Sequence, residues 1–206
     1  ARRRRGDAHL PGARPDLTLL RSLDHLGLHD GHRQGGRHGP GHERHGPESS
    51  PPATGRRRMN ADEVRAGWAS RSTEYSPGYY AYYGPNETSE LPQETLDRFV
   101  GTDAAVLELG CSSGRHLKHL HEHGFSDLHG VDINADAFDV MEAEYPALAE
   151  AGTFYSGAIE DVVVEFADGR FDAVFSVETL QHIHASDEWV FEELARITDD
   201  VVCTVE

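Results

Sequence analysis

A run of small residues directly after an apolar segment is the first place in this sequence where a ligand could approach the backbone. The apolar segment VLEL (residues 106–109) leads into GCSSG (residues 110–114). Glycine adopts backbone angles closed to other residues, and the first amide groups of a helix have no intrahelical partner. Where such a turn joins a buried strand to a helix, these free amides favour ligand binding. We therefore predict a ligand site at the carboxyl end of this strand.

An acidic side chain stands where a second contact to the same ligand is expected. The next apolar segment ends at Asp132, 22 residues after Gly110. If the two segments are neighbouring parallel strands, Asp132 lies at the same edge of the sheet as the turn. A carboxylate in that place accepts hydrogen bonds from ribose hydroxyls, which predicts a nucleoside-containing cofactor.

The spacing of glycines in the turn distinguishes dinucleotide cofactors from other nucleoside-containing cofactors. A dinucleotide fold places glycine at the first, third and sixth positions, which here are Gly110, Ser112 and Arg115. Arg115 is too large for the close helix packing needed at the sixth position, so an NAD-dependent oxidoreductase is the weaker alternative. The sequence has no Gly-Lys-Ser/Thr, which excludes a phosphate-binding P-loop. What remains is a cofactor with ribose and adenine but no pyrophosphate.

The elements that must position these residues alternate between strand and helix patterns from Met59 onward. Hydrophobic periodicity and turn residues predict strands at 104–110, 128–132, 154–157, 171–176 and 200–205, and helices at 61–72, 91–100, 113–123, 135–145 and 189–197. Residues 75–84 are expected to form an aromatic loop, because Pro77, Gly78 and Gly84 interrupt them. Strands that alternate with helices predict an α/β fold with a parallel sheet and right-handed crossovers.

Three motifs in this order resemble those of class I S-adenosylmethionine-dependent methyltransferases. VLELGCSSG (residues 106–114) resembles their motif I, GVDIN (130–134) their second-strand motif, and FDAVFS with LQHI (171–176 and 180–183) their fourth-strand motif. The resemblance covers roughly residues 59–206. It implies a Rossmann-like three-layer sandwich with a mostly parallel sheet of order 3-2-1-4-5. It also implies methyl transfer from S-adenosyl-L-methionine to a small-molecule acceptor, with a non-catalytic cofactor-binding module as the alternative.

The family's cofactor site can be carried over onto this sequence residue by residue. The resemblance implies a cofactor-binding set made of Glu108, Gly110, Cys111, Ser112, Gly114, Asp132, Ile133, Ile159, Glu160 and Ser176. In this set Asp132 would hold the ribose hydroxyls, and Ile133 and Ile159 would border the adenine. Ala158 stands where a carboxylate often contacts the adenine amino group, which leaves Glu160 or Asp161 as the substitute.

Candidates for catalysis are fewer than those for binding. If the acceptor loses a proton on attack, Tyr79, Tyr80, His182 and His184 are the candidate general bases. The tyrosine-rich segment 75–83 could form a lid over the cofactor, or it could be an ordinary packed loop. His116, His119 and His123 share one helical face, but without further ligands a solvated face is expected there and no metal site.

The composition divides the chain at Met59. Residues 1–58 hold 12 Arg against six acidic residues, and the rest holds seven basic against 30 acidic residues, a formal charge of -23. We predict that the basic segment, rich in His, Gly and Arg, is disordered. It is either an extension foreign to the natural protein or a basic arm for nucleic acid. The acidic domain would repel nucleic acid and has the composition of proteins from salt-loving organisms.

The remaining expectations concern location and extent. The two cysteines, Cys111 and Cys203, lie in predicted strand segments and do not suggest a disulfide framework, so a cytoplasmic setting is expected. No apolar run is long enough for a membrane helix and no secretory signal is visible. Family members usually add two strands beyond the point where this sequence ends, so a C-terminally truncated domain with an exposed sheet edge is expected. The acceptor and the oligomeric state are not predicted.

Overall fold

A six-stranded sheet forms the centre of the computed structural model, which describes residues 16–20 and 59–206. Its strands are β1 (Asp16–Leu20), β2 (Ala105–Leu109), β3 (Asp127–Asp132), β4 (Thr153–Ser156), β5 (Phe171–Val177) and β6 (Thr198–Val205). All neighbouring strands pair in parallel, in the order β1-β6-β5-β2-β3-β4. The predicted order 3-2-1-4-5 is therefore confirmed for the five neighbouring strands β4, β3, β2, β5 and β6.

Helices cover both faces of the sheet. They are α1 (Ala61–Ala69), α2 (Pro77–Tyr83), α3 (Glu87–Phe99), α4 (Arg115–Glu122), α5 (Asp136–Glu144), α6 (Pro146–Ala151), α7 (Ile159–Val162) and α8 (Val190–Ile197). One core lies between the sheet and α3 to α6, and it includes Val106 and Phe175. The other lies between the sheet and α7 and α8, and it includes Leu107 and Val174. Because neighbouring strand residues face opposite cores, the fold is a three-layer sandwich, as predicted.

The strand order reverses beside β2, and this reversal fixes where a ligand can bind. The chain leaves β2 toward β3 on one side, whereas β5 and β6 lie on the other side. The connections after β2 and β5 therefore diverge, which opens a crevice at the carboxyl ends of these strands. The predicted ligand turn follows β2 and so lies in this crevice.

One predicted loop is a helix. Residues 77–83 form α2, although Pro77 and Gly78 suggested a break in regular structure. Ser76 caps this helix, since its Oγ accepts a hydrogen bond from the Tyr79 amide at 3.3 Å. Proline is favoured at the first helical position, where its missing N–H costs nothing. The Ser-Pro pair therefore starts a helix here, and the loop prediction was wrong.

The sheet edge formed by β6 also differs from expectation. The structure pairs β6 with β1, so the unpaired edge expected beyond β6 carries a parallel strand. This strand lies inside the segment predicted to be disordered. The open N–H and C=O groups of an edge strand provide a template for such pairing. The other residues of 1–58 lie outside the described ranges. Among the described residues, no helix is long and apolar enough to cross a membrane.

Gly130 provides a test of the packing around the turn that follows β2, and Gly67 provides the comparison. A methyl group on Gly130 would lie 2.6 Å from Cys111 Sγ and 3.0 Å from Leu117 Cδ1, whereas one on Gly67 would meet nothing within 4 Å. We predict that Gly130→Ala lowers the free energy of unfolding by about 1 to 3 kcal/mol, because it overpacks the core. Gly67→Ala should raise that free energy by about 0.5 to 1 kcal/mol, because alanine favours helix. Urea unfolding of both variants checks this, and equal effects would contradict the packing described.

Candidate active site

The turn after β2 depends on glycine at two points. Gly110 has φ +70°, and a Cβ there would lie 2.4 Å from the Thr179 side chain. Gly114 has φ +80°, and a Cβ there would lie 2.7 Å from Met141 Cε. Both the angle and the space therefore require glycine. The amides of Gly110 and Cys111 donate to the Val131 carbonyl at 2.8 and 3.0 Å, which fastens the turn to β3.

Asp132 joins the tip of β3 to this turn. Its Oδ2 accepts a hydrogen bond from the Ser112 amide at 2.7 Å, and its Oδ1 accepts one from the Asn134 amide at 2.8 Å. Burial raises the pKa of Asp132, and the two backbone hydrogen bonds oppose that rise. A carboxylate has about four acceptor positions, so this side chain can still accept hydrogen bonds from two ligand hydroxyls.

Glu108 is a buried acid with an unsatisfied oxygen. Its side chain is in the middle of β2 and the residue is 1% exposed. Among the described residues, its Oε2 has no hydrogen-bond partner. Burial raises its pKa well above the usual value, while Arg115 and the Leu117 amide act in the opposite direction. An unpartnered buried carboxyl oxygen costs several kcal/mol, so this position fits a site that awaits a donor from a ligand.

A cleft of about 1070 Å³, including its solvent-filled mouth, lies above the turn. Small-molecule sites are typically concave and mostly apolar with a few polar groups, and the residues that line this cleft combine both kinds. The predicted site residues that line it are Gly110, Cys111, Ser112, Asp132, Ile133, Ile159, Glu160, Tyr80, His182 and His184. The structure thus brings together residues from the ends of β2, β3 and β5 and from the start of α7.

Four predicted residues do not line the cleft. Glu108 and Gly114 are buried beneath or behind the turn. Tyr79 packs against other tyrosines of α2 and its flank. Ser176 is 1% exposed and donates a hydrogen bond from Oγ to Glu206 Oε1 at 2.9 Å. Because strand side chains alternate between faces, the neighbouring Val177 lines the cleft where Ser176 does not.

Helix α1 covers the cleft, and its contribution was missed from the sequence. Arg65 reaches from α1 to two acids on the opposite wall: its Nη2 lies 2.7 Å from Asp187 Oδ2 and its Nε lies 3.4 Å from Glu160 Oε1. The Asp187 and Glu160 side chains are 13% and 10% exposed. The predicted adenine ligand Glu160 is therefore engaged by Arg65. These pairs join residues 95 and 122 positions apart in sequence, and no local pattern indicates them.

Backbone strain is concentrated at the cleft. Within the described ranges, the non-glycine residues with positive φ are Tyr75 (63°), Ser112 (49°) and Glu178 (50°). All three line the cleft. Such conformations cost of order 1 to 3 kcal/mol each and persist where the surrounding structure imposes them, typically at functional sites. This clustering supports the cleft as the functional site independently of the motifs.

His182 forms a stacked group with Trp68 of helix α1 and with Arg71 just after that helix, on the β5 side of the cleft. The Trp68 and His182 rings have centroids 4.5 Å apart, and the Arg71 Cζ lies 4.1 Å from the Trp68 ring centroid. Burial and Arg71 lower the pKa of His182, and Glu206 and Glu178 oppose this. The imidazole is therefore neutral at pH 7. No group of acidic, histidine or cysteine side chains in the described ranges could hold a metal ion.

Comparison with known proteins agrees with the geometry. A family model described as a methyltransferase domain matches residues 106–200. The chain is 24% identical over 112 residues to the O-methyltransferase cnsE of Penicillium expansum, covering 52% of this chain and 41% of that protein. It is 25% identical over 113 residues to the O-methyltransferase resE of Aspergillus sclerotiorum, covering 52% and 42%. The chain thus spans less than half the length of these relatives.

Among solved structures, the chain resembles a crystal structure of WbdD. The TM-score is 0.51 at 23% identity, and the match covers 70% of this chain and 35% of that one. At this identity the likeness concerns the fold, which agrees with the predicted sandwich. The three motifs, the sheet order and the family match therefore lead to one conclusion. Residues 106–200 match a methyltransferase domain, and the motifs and the sheet order around them agree with the class I S-adenosylmethionine-dependent methyltransferases.

Proposed function

We propose that this chain binds S-adenosyl-L-methionine in the cleft and transfers its methyl group to an oxygen atom of a small-molecule acceptor. The observation that carries the proposal is the pairing of Asp132 with the turn, beside the unsatisfied acid Glu108. Together they present acceptors for the ribose hydroxyls and for an ammonium group. An oxygen acceptor is favoured because the curated relatives are O-methyltransferases.

The residues present fit the cofactor. Asp132 would accept from the ribose hydroxyls, and Ile133 and Ile159 would cover the adenine with apolar surface. Glu108 would accept from the ammonium group, directly or through a bound water. Arg115 begins the helix after the turn, where its guanidinium suits the cofactor's carboxylate. When bound, the cofactor supplies an electrophilic methyl group on a positively charged sulfur.

Arg115 is held in place by a buried imidazole. Its Nε donates to His116 Nε2 at 3.1 Å, and His116 Nδ1 lies 2.8 Å from Ser89 Oγ. Burial, with Arg115 and His119 in support, lowers the pKa of His116 to about 3. A neutral ring that accepts at Nε2 carries its proton on Nδ1 and donates it to Ser89. This fixed pair orients Arg115 without neutralising it.

His182 is the general base that the site favours for removing a proton from an acceptor hydroxyl. Its pKa lies below the usual 6.5, so the imidazole is free to accept a proton at neutral pH. The carboxylates of Glu178 and Glu206 stabilise the charged ring that results. Burial raises the pKa of Tyr80, and the pKa of Tyr79 is raised as well. These phenols therefore keep their protons and are poorer bases.

The remaining contribution of the chain is positional. Helix α1 and the Tyr75 flank of α2 line the cleft, where they would align acceptor and cofactor. Alignment of two reactants in a dry site is a large part of what such an enzyme provides. Arg65 holds this cover in place through Asp187 and Glu160.

We also propose a reducing, cytoplasmic setting. Cys111 and Cys203 are both free and buried, Cys111 under the cofactor turn and Cys203 inside β6. Burial raises the pKa of both thiols, so neither is a reactive thiolate. This supports the reading of Cys111 as a small residue of the turn and not as a nucleophile.

The first prediction concerns cofactor binding. The full chain should bind S-adenosylhomocysteine, and Asp132→Ala should weaken binding roughly ten- to a hundredfold, since hydrogen bonds to a charged group contribute about 1.5 to 3 kcal/mol. Isothermal titration measures both. Asp127→Asn is the matched control, because Asp127 lies at the opposite end of β3. Absence of heat with the unaltered chain, or unchanged affinity in Asp132→Ala, would contradict the proposed function.

The second prediction concerns the cover. Arg65→Gln should speed the release of S-adenosylhomocysteine by about three- to thirtyfold, because partly buried ion pairs contribute more than exposed ones. Amide hydrogen exchange in residues 61–69 should increase as well. Arg196→Gln is the control, because Arg196 is as exposed as Arg65 and pairs with Glu193 and Asp168 away from the cleft. Equal effects of the two substitutions on release and exchange would show that Arg65 does not hold helix α1 in place over the cleft.

The third prediction concerns pH. Because the pKa of His182 is lowered, methyl transfer should be constant near pH 7 and fall as the pH drops below 6.5 and protonates the base. His182→Gln should reduce kcat by about a hundredfold and remove this acidic limb. Production of S-adenosylhomocysteine with a panel of phenolic acceptors provides the measurement. An unchanged acidic limb in His182→Gln would show that another group titrates.

A further inference from the structure

We propose that the methyl acceptor is a planar molecule with a carboxylate, and that Arg71 binds this carboxylate while His182 faces its hydroxyl. The inference rests on the proposed function and specifies the acceptor of that same cleft. It is carried by the placement and the unpaired charge of Arg71.

The first step is that the Arg71 guanidinium has no carboxylate partner among the described residues, in a domain crowded with acids. Residues 59–206 contain 30 acidic side chains against seven basic ones. Three of the basic residues, Arg65, Lys118 and Arg196, form ion pairs with carboxylates. The other four, Arg71, Arg98, Arg115 and Arg170, form none with the described residues, and of these only Arg71 and Arg115 line the cleft. Two guanidinium groups without a carboxylate partner that face the same cleft point to anionic ligands.

The second step assigns one anion to each guanidinium. The cofactor has a single carboxylate. Arg115 lies at the start of α4, directly after the turn, and His116 fixes it there. It is therefore placed for the cofactor's amino-acid end. Arg71 belongs to the segment after α1 and lies over Trp68, beside His182. A second anion is needed to match Arg71, and the acceptor is the only other ligand of the proposed reaction.

The third step is the geometry of Arg71. Its Cζ lies 4.1 Å from the Trp68 centroid, and its carbonyl accepts a hydrogen bond from Asn134 Nδ2 at 3.0 Å. The residue is half-buried. A guanidinium held over an aromatic ring keeps N–H groups free, and the guanidinium fork matches a carboxylate in a two-bond arrangement. Arg71 is thus pre-oriented for a carboxylate before any ligand arrives.

The fourth step concerns the shape of the acceptor. Trp68, Tyr75 and Tyr80 provide aromatic surfaces in the cleft, and Ile183 adds apolar surface. Such walls favour a planar body of low polarity. Glu178 also lines the cleft, and its charge acts on His182 and Tyr80. A second carboxylate on the acceptor would be repelled there, so a hydroxyl is the group that fits beside His182.

Binding of matched probes tests the inference. We would titrate the full chain, saturated with S-adenosylhomocysteine, with 2-hydroxybenzoate and 3-hydroxy-2-naphthoate and with the neutral amide of each. The unaltered chain should bind at least one acid about tenfold more tightly than its amide, as expected for a charge-assisted pair. Arg71→Gln should remove this preference, and Arg71→Lys should retain part of it. Arg98→Gln is the matched charge control, because Arg98 lies over Phe99 outside the cleft.

The outcomes separate this inference from the proposed function. If neither acid binds more tightly than its amide, the inference is wrong even though S-adenosylhomocysteine binds. If Arg71→Gln weakens S-adenosylhomocysteine but not methylthioadenosine, which lacks the amino-acid part, Arg71 holds the cofactor's carboxylate and the inference is again wrong. If Arg98→Gln removes the preference as Arg71→Gln does, overall charge explains it and the inference fails. Failure of the unaltered chain to bind S-adenosylhomocysteine would instead overturn the proposed function.

Discussion

The hydrogen bond from the Ser112 amide to Asp132 is the interaction on which the site depends. It joins the turn after β2 to the tip of β3 at 2.7 Å and holds Ser112 at φ 49°. Together with the Asn134 amide on Asp132 and the Gly110 and Cys111 amides on Val131, this bond offsets the cost of the strained turn and of the largely buried carboxylate. The same bond points Asp132 into the cleft. One contact therefore stabilises the backbone of the site and places a ligand-binding group.

Burial tunes the chemistry of the groups around this contact. Loss of solvent raises the pKa of Glu108 and Asp132 and lowers the pKa of His116 and His182. Each shift disfavours the charged form of its group. A positively charged cofactor reverses that preference for the two acids, because an opposite charge nearby favours the ionised form. Ligand binding would therefore favour the ionised forms of Glu108 and Asp132. The apolar cores on both faces of the sheet offset the free-energy cost of burying these polar groups.

The sequence predicted the turn after β2 and the acid at the tip of β3 because local spacing determines both. Gly110 and Asp132 end neighbouring strands, so their positions along the chain fix their positions in space. Local spacing did not indicate the long-range contacts. Glu160, which is predicted to border adenine, pairs with Arg65, which lies 95 residues earlier. The Ser176 side chain donates to Glu206 away from the cleft, and its predicted contact is through the backbone. The helix at Pro77 was missed because Pro and Gly usually interrupt regular structure.

The cleft is built from two parts of the chain. Arg65, Trp68 and Arg71 all precede residue 106, where the family match begins. The matched region supplies the turn and Asp132, whereas the segment before it supplies helix α1 and Arg71. Under the proposed function, the matched region would hold the cofactor, and residues 61–80 would contribute to the choice of acceptor.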